Sequence, residues 1–417
     1  MKPQLTVFGA GRRQPPSVLV CAATLMLAAF APVPVTACPF CNGVTLTLTE
    51  QLGAADSAVL VKWKSGTPAK LSDAGSTEFE VVDIVHQQAA RKLQKGSRFN
   101  LVRYRSAKSG DLFLLLGLLS GETIEWGSPI EVTQAGYDYM KNSPKPDRPA
   151  SKRLTYFLHY LEHPDRMIAE DSFGEFANAA YEDVVQLKAQ LPRDKLRTWL
   201  NSKSVSQGHV ALYGMLLGLC GTDDDARLLE RKILETPDDI RLGIDGLMGG
   251  YLLLTGEKGL AVLEEAKLRN KQAEFTETYA AMQALRFMWQ YGDNRIEPDR
   301  LRQSMRILLD RPEMVDIVIV DLARWKDWSV HDPLMSLYEA DGFNTPTIKR
   351  AIVRFMLVAT RDTGIKKVDA GAASGSSAET VVAADVPAHV VKAQEALEKL
   401  EKRDPKTVRE AKRFFVK

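Results

Sequence analysis

Four turns recur along this chain at nearly constant spacing. The stretches LLGLCG, LLLTG, MWQYG and LARWKD end at Gly221, Gly256, Gly292 and Asp327, with intervals of 35, 36 and 35 residues. Each is followed by a second helical pattern: DDARLLERKIL, GLAVLEEAKL, PDRLRQSMRILL and DPLMSLYE. Glycine suits the left-handed residue that closes a helix. In the second helices aliphatic residues recur at helical spacing, as Leu228, Leu229 and Ile233 do. One such hairpin cannot bury its apolar stripe alone, so neighbouring hairpins must stack. FANA, ending at Ala179, lies 42 residues before Gly221 and reads as a degenerate earlier copy. A non-repeating helical bundle is the competing expectation.

The period resembles that of HEAT-like α-hairpin solenoids. The resemblance implies an all-α body over residues 154–365, with an extended surface for a protein partner. Trp289-Gln290-Tyr291 and Trp325-Lys326-Asp327-Trp328 fall at successive turns. Packing between helices is the expectation for these rings, and an exposed contact ridge is the alternative. Upstream, KNSPKPDRPASKR (141–153) reads as a linker. Downstream, an Ala/Gly/Ser-rich stretch reads as a flexible linker over 366–388. The tail, 389–417, shows an amphipathic helix with Val390, Ala393, Leu397 and Leu400 on one side, and Asp404-Pro405 opens another. Nine Lys/Arg against five Asp/Glu from Val391 onward give it a net +4. It either touches an anionic partner or folds back to cap the helical body.

The chain begins as exported proteins do. Residues 1–37 lack Asp and Glu, carry Lys2, Arg12 and Arg13, and then run apolar from Val18 to Ala31 before Val35-Thr36-Ala37. This is a signal-peptide pattern, too short to span a membrane. Cleavage after Ala37 removes three positive charges and takes the net charge from +2 to −1. That balance argues against nucleic-acid binding, which needs a basic face. The expected location is extracytoplasmic: secreted, periplasmic, or lipid-anchored to the envelope. Cleavage also makes Cys38 the first residue, three before Cys41. Four readings of CPFC stay open. The pair forms a local disulfide or two thiols. Cys38 carries a lipid, the one route to a membrane. The pair is a redox centre. Or it is half of a zinc site, which needs two more ligands.

Between Ala58 and Thr133 lie short β-rich runs, among them AVLVKW (58–63), TEFEVVDIVH (77–86), RFNLVRY (98–104) and the wholly apolar DLFLLLGLL (111–119). Glycines and a proline separate them. Five strands at this spacing predict a small closed barrel, although the apolar run at 111–119 also fits a helix. The order of a Cys at the new N-terminus, a short helix, ADSAVLVKW, KGSRFNLVRY, GDLFLLLG and WGSPIEVT resembles the netrin-like, OB-type barrel of the tissue-inhibitor-of-metalloproteinases family. The resemblance implies such a head over 38–140. In that family a free N-terminal Cys chelates a partner's catalytic zinc through its amine and carbonyl, and only Cys38 stands where that role falls. The family's Cys-x-Cys and its further barrel cysteines are missing. The whole chain is also similar to uncharacterised secreted bacterial proteins that join such a head to a helical body.

HYLEH (159–163) matches a zinc-protease pattern, with His159 and His163 as ligands and Glu162 as base. Pro164 ends the helix that those enzymes continue, and Asp238 and Asp239 stand where a glutamate ligand is needed. A buried hairpin helix is the plainer expectation. Cys220 reads as a small buried thiol. The sequence points to no catalytic residue and no cofactor. The reading is an α+β multidomain chain, a small OB-like barrel followed by a HEAT-like hairpin solenoid. Its expected function is non-enzymatic binding of a protein partner. The alternatives are a CxxC redox protein or a Cys38-lipidated envelope lipoprotein, and more remotely a zinc hydrolase.

Overall fold

Alternation along the strands decides how the sheet is buried. The computed structural model describes residues 38–41, 46–71, 74–87, 93–121, 123–235, 240–363 and 386–413, all within one compact unit, Ala37–Lys417. The predicted signal peptide and nearly all of the predicted 366–388 linker lie outside the described residues. Six antiparallel strands form one sheet: β1 (Ser57–Thr67), β2 (Ser76–Gln87), β3 (Arg98–Leu101), β4 (Leu112–Ser120), β5 (Thr123–Trp126) and β6 (Ile130–Glu131). Their order is β3-β2-β1-β4-β5, and β6 pairs with β4 beside β5. The run at 111–119 is therefore a central strand, with β1 on one side and β5 and β6 on the other.

Val59, Val61, Phe79, Val81, Leu101, Phe113 and Leu115 point to one face and make a small core of their own. Leu60 and Leu114, one residue out of phase, point to the opposite face and join the helical core. A strand buried on both faces needs apolar residues at every position, which explains Phe113, Leu114 and Leu115 in β4, while Leu118 and Leu119 at its end stay exposed. The sheet is open, not the closed barrel expected from strand spacing. Its edges meet through side chains. Phe99 of β3 stacks on Trp126 of β5 at 5.8 Å, and Arg103 donates to Ser128 at 2.7 Å. The edge strands β3 and β5 have four residues each, and aromatic packing takes the place of a closing hydrogen-bond ladder.

The helices are α1 (Leu48–Ala54), α2 (Gln134–Asn142), α3 (Ala150–Phe157), α4 (Arg166–Ala177), α5 (Tyr181–Val185), α6 (Arg193–Asn201), α7 (Gln207–Cys220), α8 (Asp223–Leu234) and α9 (Ile244–Thr255). They continue as α10 (Glu257–Leu263), α11 (Phe275–Tyr291), α12 (Pro298–Ile307), α13 (Val315–Arg324), α14 (His331–Leu337), α15 (Pro346–Ala359), α16 (Ala388–Arg403) and α17 (Pro405–Arg413). α2 couples the sheet to the rest. Its Tyr137 hydroxyl donates to Asp83 of β2 at 2.7 Å, and Lys141 bonds the same carboxylate at 2.6 Å. Lys141, then Lys95 and Tyr137, hold the Asp83 carboxyl far below the usual range.

α7 and α9 touch backbone to backbone. A Cβ on Gly250 would lie 2.0 Å from the Gly214 carbonyl oxygen, and one on Gly246 would lie 2.1 Å from that of Ala211. Farther along, Trp289 of α11 stacks on Trp325 at the end of α13, 4.4 Å apart and nearly parallel. Charged pairs follow the same steps: Arg241 with Glu277, Arg286 with Asp321, and Glu264 with Arg300. The C-terminal hairpin lies on α15. Val390, Ala393, Ala396, Leu400, Val408 and Ala411 are buried there, and Tyr338 donates to Asp404 at 3.0 Å. Among the described residues no helix is long and apolar enough to cross a membrane.

Candidate functional site

CPFC is folded into the helical body. Cys38 and Cys41 are joined by a disulfide, and the Cys38 amide donates to the Ala177 carbonyl at 3.0 Å. Phe40 is only 4 % exposed, with its ring 4.7 Å from that of Phe287 on α11. The slot for it exists because residue 249 is glycine: a Cβ there would lie 2.5 Å from the Phe40 ring. Burying one phenyl ring contributes about 1.5–3 kcal/mol toward holding the four-residue loop in place. Phe287 passes the contact on to Tyr181 at 5.2 Å, and Tyr181 to Tyr291 at 4.8 Å. The chelating role that the family resemblance implies needs an outward amine, and here Cys38 is 5 % exposed and turned inward.

Phe40 also walls a cleft of about 540 Å³. Six parts of the chain meet there: the CPFC loop, the start of α1, Ile130 of β6, α4, and the starts of α7 and α9. Thr47 and Glu50 form a capping box that fixes the start of α1. α4 supplies Met167, Phe173 and the adjacent carboxylates Glu170 and Asp171. Asp171 accepts the Leu48 amide at 2.6 Å and the Tyr139 hydroxyl at 2.8 Å. Burial pushes its pKa up, to about 6, against the pull of these two bonds, and the nearby Glu175 and Glu50 add to the rise. Behind it Glu175 is buried and accepts from Thr49 and Arg153.

At the other wall His209 stacks flat on Phe173, centroids 4.2 Å apart. Its Nδ1 lies 3.3 Å from Glu162 Oε1 and its Nε2 lies 3.4 Å from Glu170 Oε2. Tyr213 donates to Glu162 at 2.6 Å. The histidine thus ties α7 to α4 and to the turn after α3. As an imidazolium it can donate to both carboxylates.

The HYLEH side chains are sent apart. α3 stops at Phe157, and a single 3₁₀ turn, Leu158–Tyr160, follows. His159 Nδ1 faces the Thr155 carbonyl at 2.9 Å, His163 Nδ1 accepts the Asp165 amide at 3.1 Å, and Glu162 serves Tyr213 and His209. Among the described residues no three metal-ligating side chains converge. Asp238 and Asp239 lie outside them. Cys220 is half-buried at the end of α7, and burial pushes its thiol up to about 11. The tryptophans pack between helices: Trp325 is buried, and Trp328 stacks on His389 and donates to Asp362 at 2.9 Å.

Sequence reasoning passed over Glu170, Asp171 and His209. One signal was readable. RMIAEDSFGEFA places Asp171 and Glu175 four apart on one face of an otherwise apolar helix, where carboxylates need partners. His209 gave none, since its partners are 39 and 47 residues away. No protein-family model matches this chain, and no curated protein is detectably similar to it.

Proposed function

We propose that this is an exported, non-enzymatic binding protein that captures a protein partner in the cleft behind the CPFC loop. The carrying observation is the cleft itself: six chain segments converge on a mostly apolar lining with a few fixed polar groups. The one histidine in that lining is held between Glu162 and Glu170. The frame we propose is an OB-like curled sheet joined to a HEAT-like stack of α-hairpins. The Phe99–Trp126 seam supports the first part. Contacts between residues 35 or 36 apart support the second: Gly214 with Gly250, Arg286 with Asp321, Trp289 with Trp325. Export rests on the composition of residues 1–37, and the Cys38–Cys41 disulfide fits an oxidising compartment.

The test is a photo-crosslinking residue at Leu242, on the wall of the cleft, in the exported chain. A defined protein adduct from Leu242, with none from a control at Leu119, is expected. No adduct at Leu242 removes the proposal.

The disulfide favours a second reading, a thiol-exchange role for Cys38 and Cys41. A lipid on Cys38 competes with it for the same sulfur. The intact mass of the mature N-terminus separates the cases, since a disulfide makes it lighter by two hydrogens and a lipid makes it far heavier.

A further inference from the structure

We infer that the cleft takes an extended polypeptide segment in which a bulky aliphatic side chain stands next to a lysine or arginine. This rests on the binding reading above. The aliphatic part follows from the walls. Phe40, Met167 and Phe173 line the interior, while Leu46 and Leu242 at the mouth are 68 % and 57 % exposed. Uncovered leucines at the rim of an apolar cleft are the surface that a partner's side chain removes from water, at about 25 cal/mol per Å².

The basic part follows from charge. Among the described residues the lining holds Glu170 and Asp171 and neither lysine nor arginine. Asp171 spends both oxygens on Leu48 and Tyr139. Glu170 is the open carboxylate. Its side chain is 46 % exposed, and its contacts with His209 and with Arg166, at 3.4 and 3.6 Å, are long. Arg166 is 91 % exposed, so its pairing is weak and a partner's cation can replace it. The polypeptide part follows from the backbone. Ser206 precedes α7 and Gly243 precedes α9; neither caps its helix with a side chain, although Asp245 accepts the Gly246 amide, and both residues line the cleft. First-turn amides without caps take carbonyl oxygens, which an extended peptide supplies at every residue.

The experiment uses the mature chain and fluorescein-labelled, end-capped heptapeptides GGLKLGG and GGLELGG, read by polarisation at low salt. The lysine peptide is expected to bind at least about tenfold tighter, a difference of about 1.4 kcal/mol. Glu170→Arg is expected to reverse that order, and Glu170→Gln to shrink it, with melting temperatures showing that both variants fold. Equal affinities, no binding of either peptide, or an order unchanged in Glu170→Arg each overturn the inference. An adduct from Leu242 together with any of those results leaves the binding reading standing and removes only the peptide chemistry. Loss of both removes both.

Discussion

The Phe40 ring sits over Gly249, 4.7 Å from the Phe287 ring, so an N-terminal disulfide loop is pinned to the middle of the helical body. Two variants should unseat it. Phe40→Ala removes the ring, and Gly249→Val fills its slot. Phe-to-Ala changes in packed sites cost about 3–5 kcal/mol, and most of that would fall on loop docking here. Reduction of the disulfide by dithiothreitol, followed by maleimide labelling, should become at least roughly tenfold faster in both. Unchanged labelling rates would mean that the ring does not hold the loop.

Glu277 is a buried carboxylate with two cations. Arg241 bonds it from the loop before α9, and Lys267, itself buried, reaches it at 2.7 Å. Burial raises its pKa, but Arg241 and Lys267 outweigh burial and leave it lowered. Glu277→Ala strands Lys267 without its counter-charge, so a loss of about 3–5 kcal/mol is expected in urea melts. With the folded pKa depressed, the stabilisation is present above the unfolded carboxylate pKa and is lost as pH falls through the folded value. Wild type should therefore lose stability in acid more steeply than Glu277→Gln does.

Asp171 has the opposite sign. Its folded pKa is raised to about 6, so the folded state holds the proton more tightly than the unfolded state does. The contribution is complete below the unfolded pKa and is lost as pH climbs toward 6 and beyond. A shift of this size caps the effect at about 3 kcal/mol. Hydrogen exchange at the Leu48 amide, which Asp171 accepts, should speed up between pH 5 and pH 7 relative to amides in α15. A flat ratio across that range would refute the assignment.

Two glycines separate packing from chance. A Cβ on Gly250 would lie 2.0 Å from the Gly214 oxygen, whereas the nearest atom to one on Gly208 is Ser206 Oγ at 3.7 Å. Gly250→Ala should drive α7 and α9 apart and cost at least about 3 kcal/mol, or abolish soluble expression. Gly208→Ala should stay within about 1 kcal/mol of wild type. Equal melting temperatures for the two would contradict the close crossing.

The sequence made regular elements readable and partners hard to see. The alternation in RFNLVRY and the unbroken run in DLFLLLGLL marked β3 and β4, because strand burial is a local pattern. Val390, Ala393 and Leu400 marked the inner side of α16 for the same reason, and that helix does fold back on α15. Sheet closure was misjudged. Spacing counts strands, but whether the first and last pair depends on edge geometry that Phe99 and Trp126 decide together. Asp225 shows another limit. It belongs to the acidic start of α8, where negative charge suits the helix dipole, yet it is fully buried and receives Arg193 and Arg197 from α6. Both partners lie some thirty residues away, beyond any local pattern. The cleft was invisible for that reason, since its walls come from six separate places in the chain.

The out-of-phase leucines of the sheet carry a practical consequence. Leu60 and Leu114 are shielded only while the helices are present, so the strands are not a cassette that can be cut out at the proline-rich stretch and grafted onto another protein. Severed there, each half would bare a greasy wound, and the pieces should be recovered only when produced together.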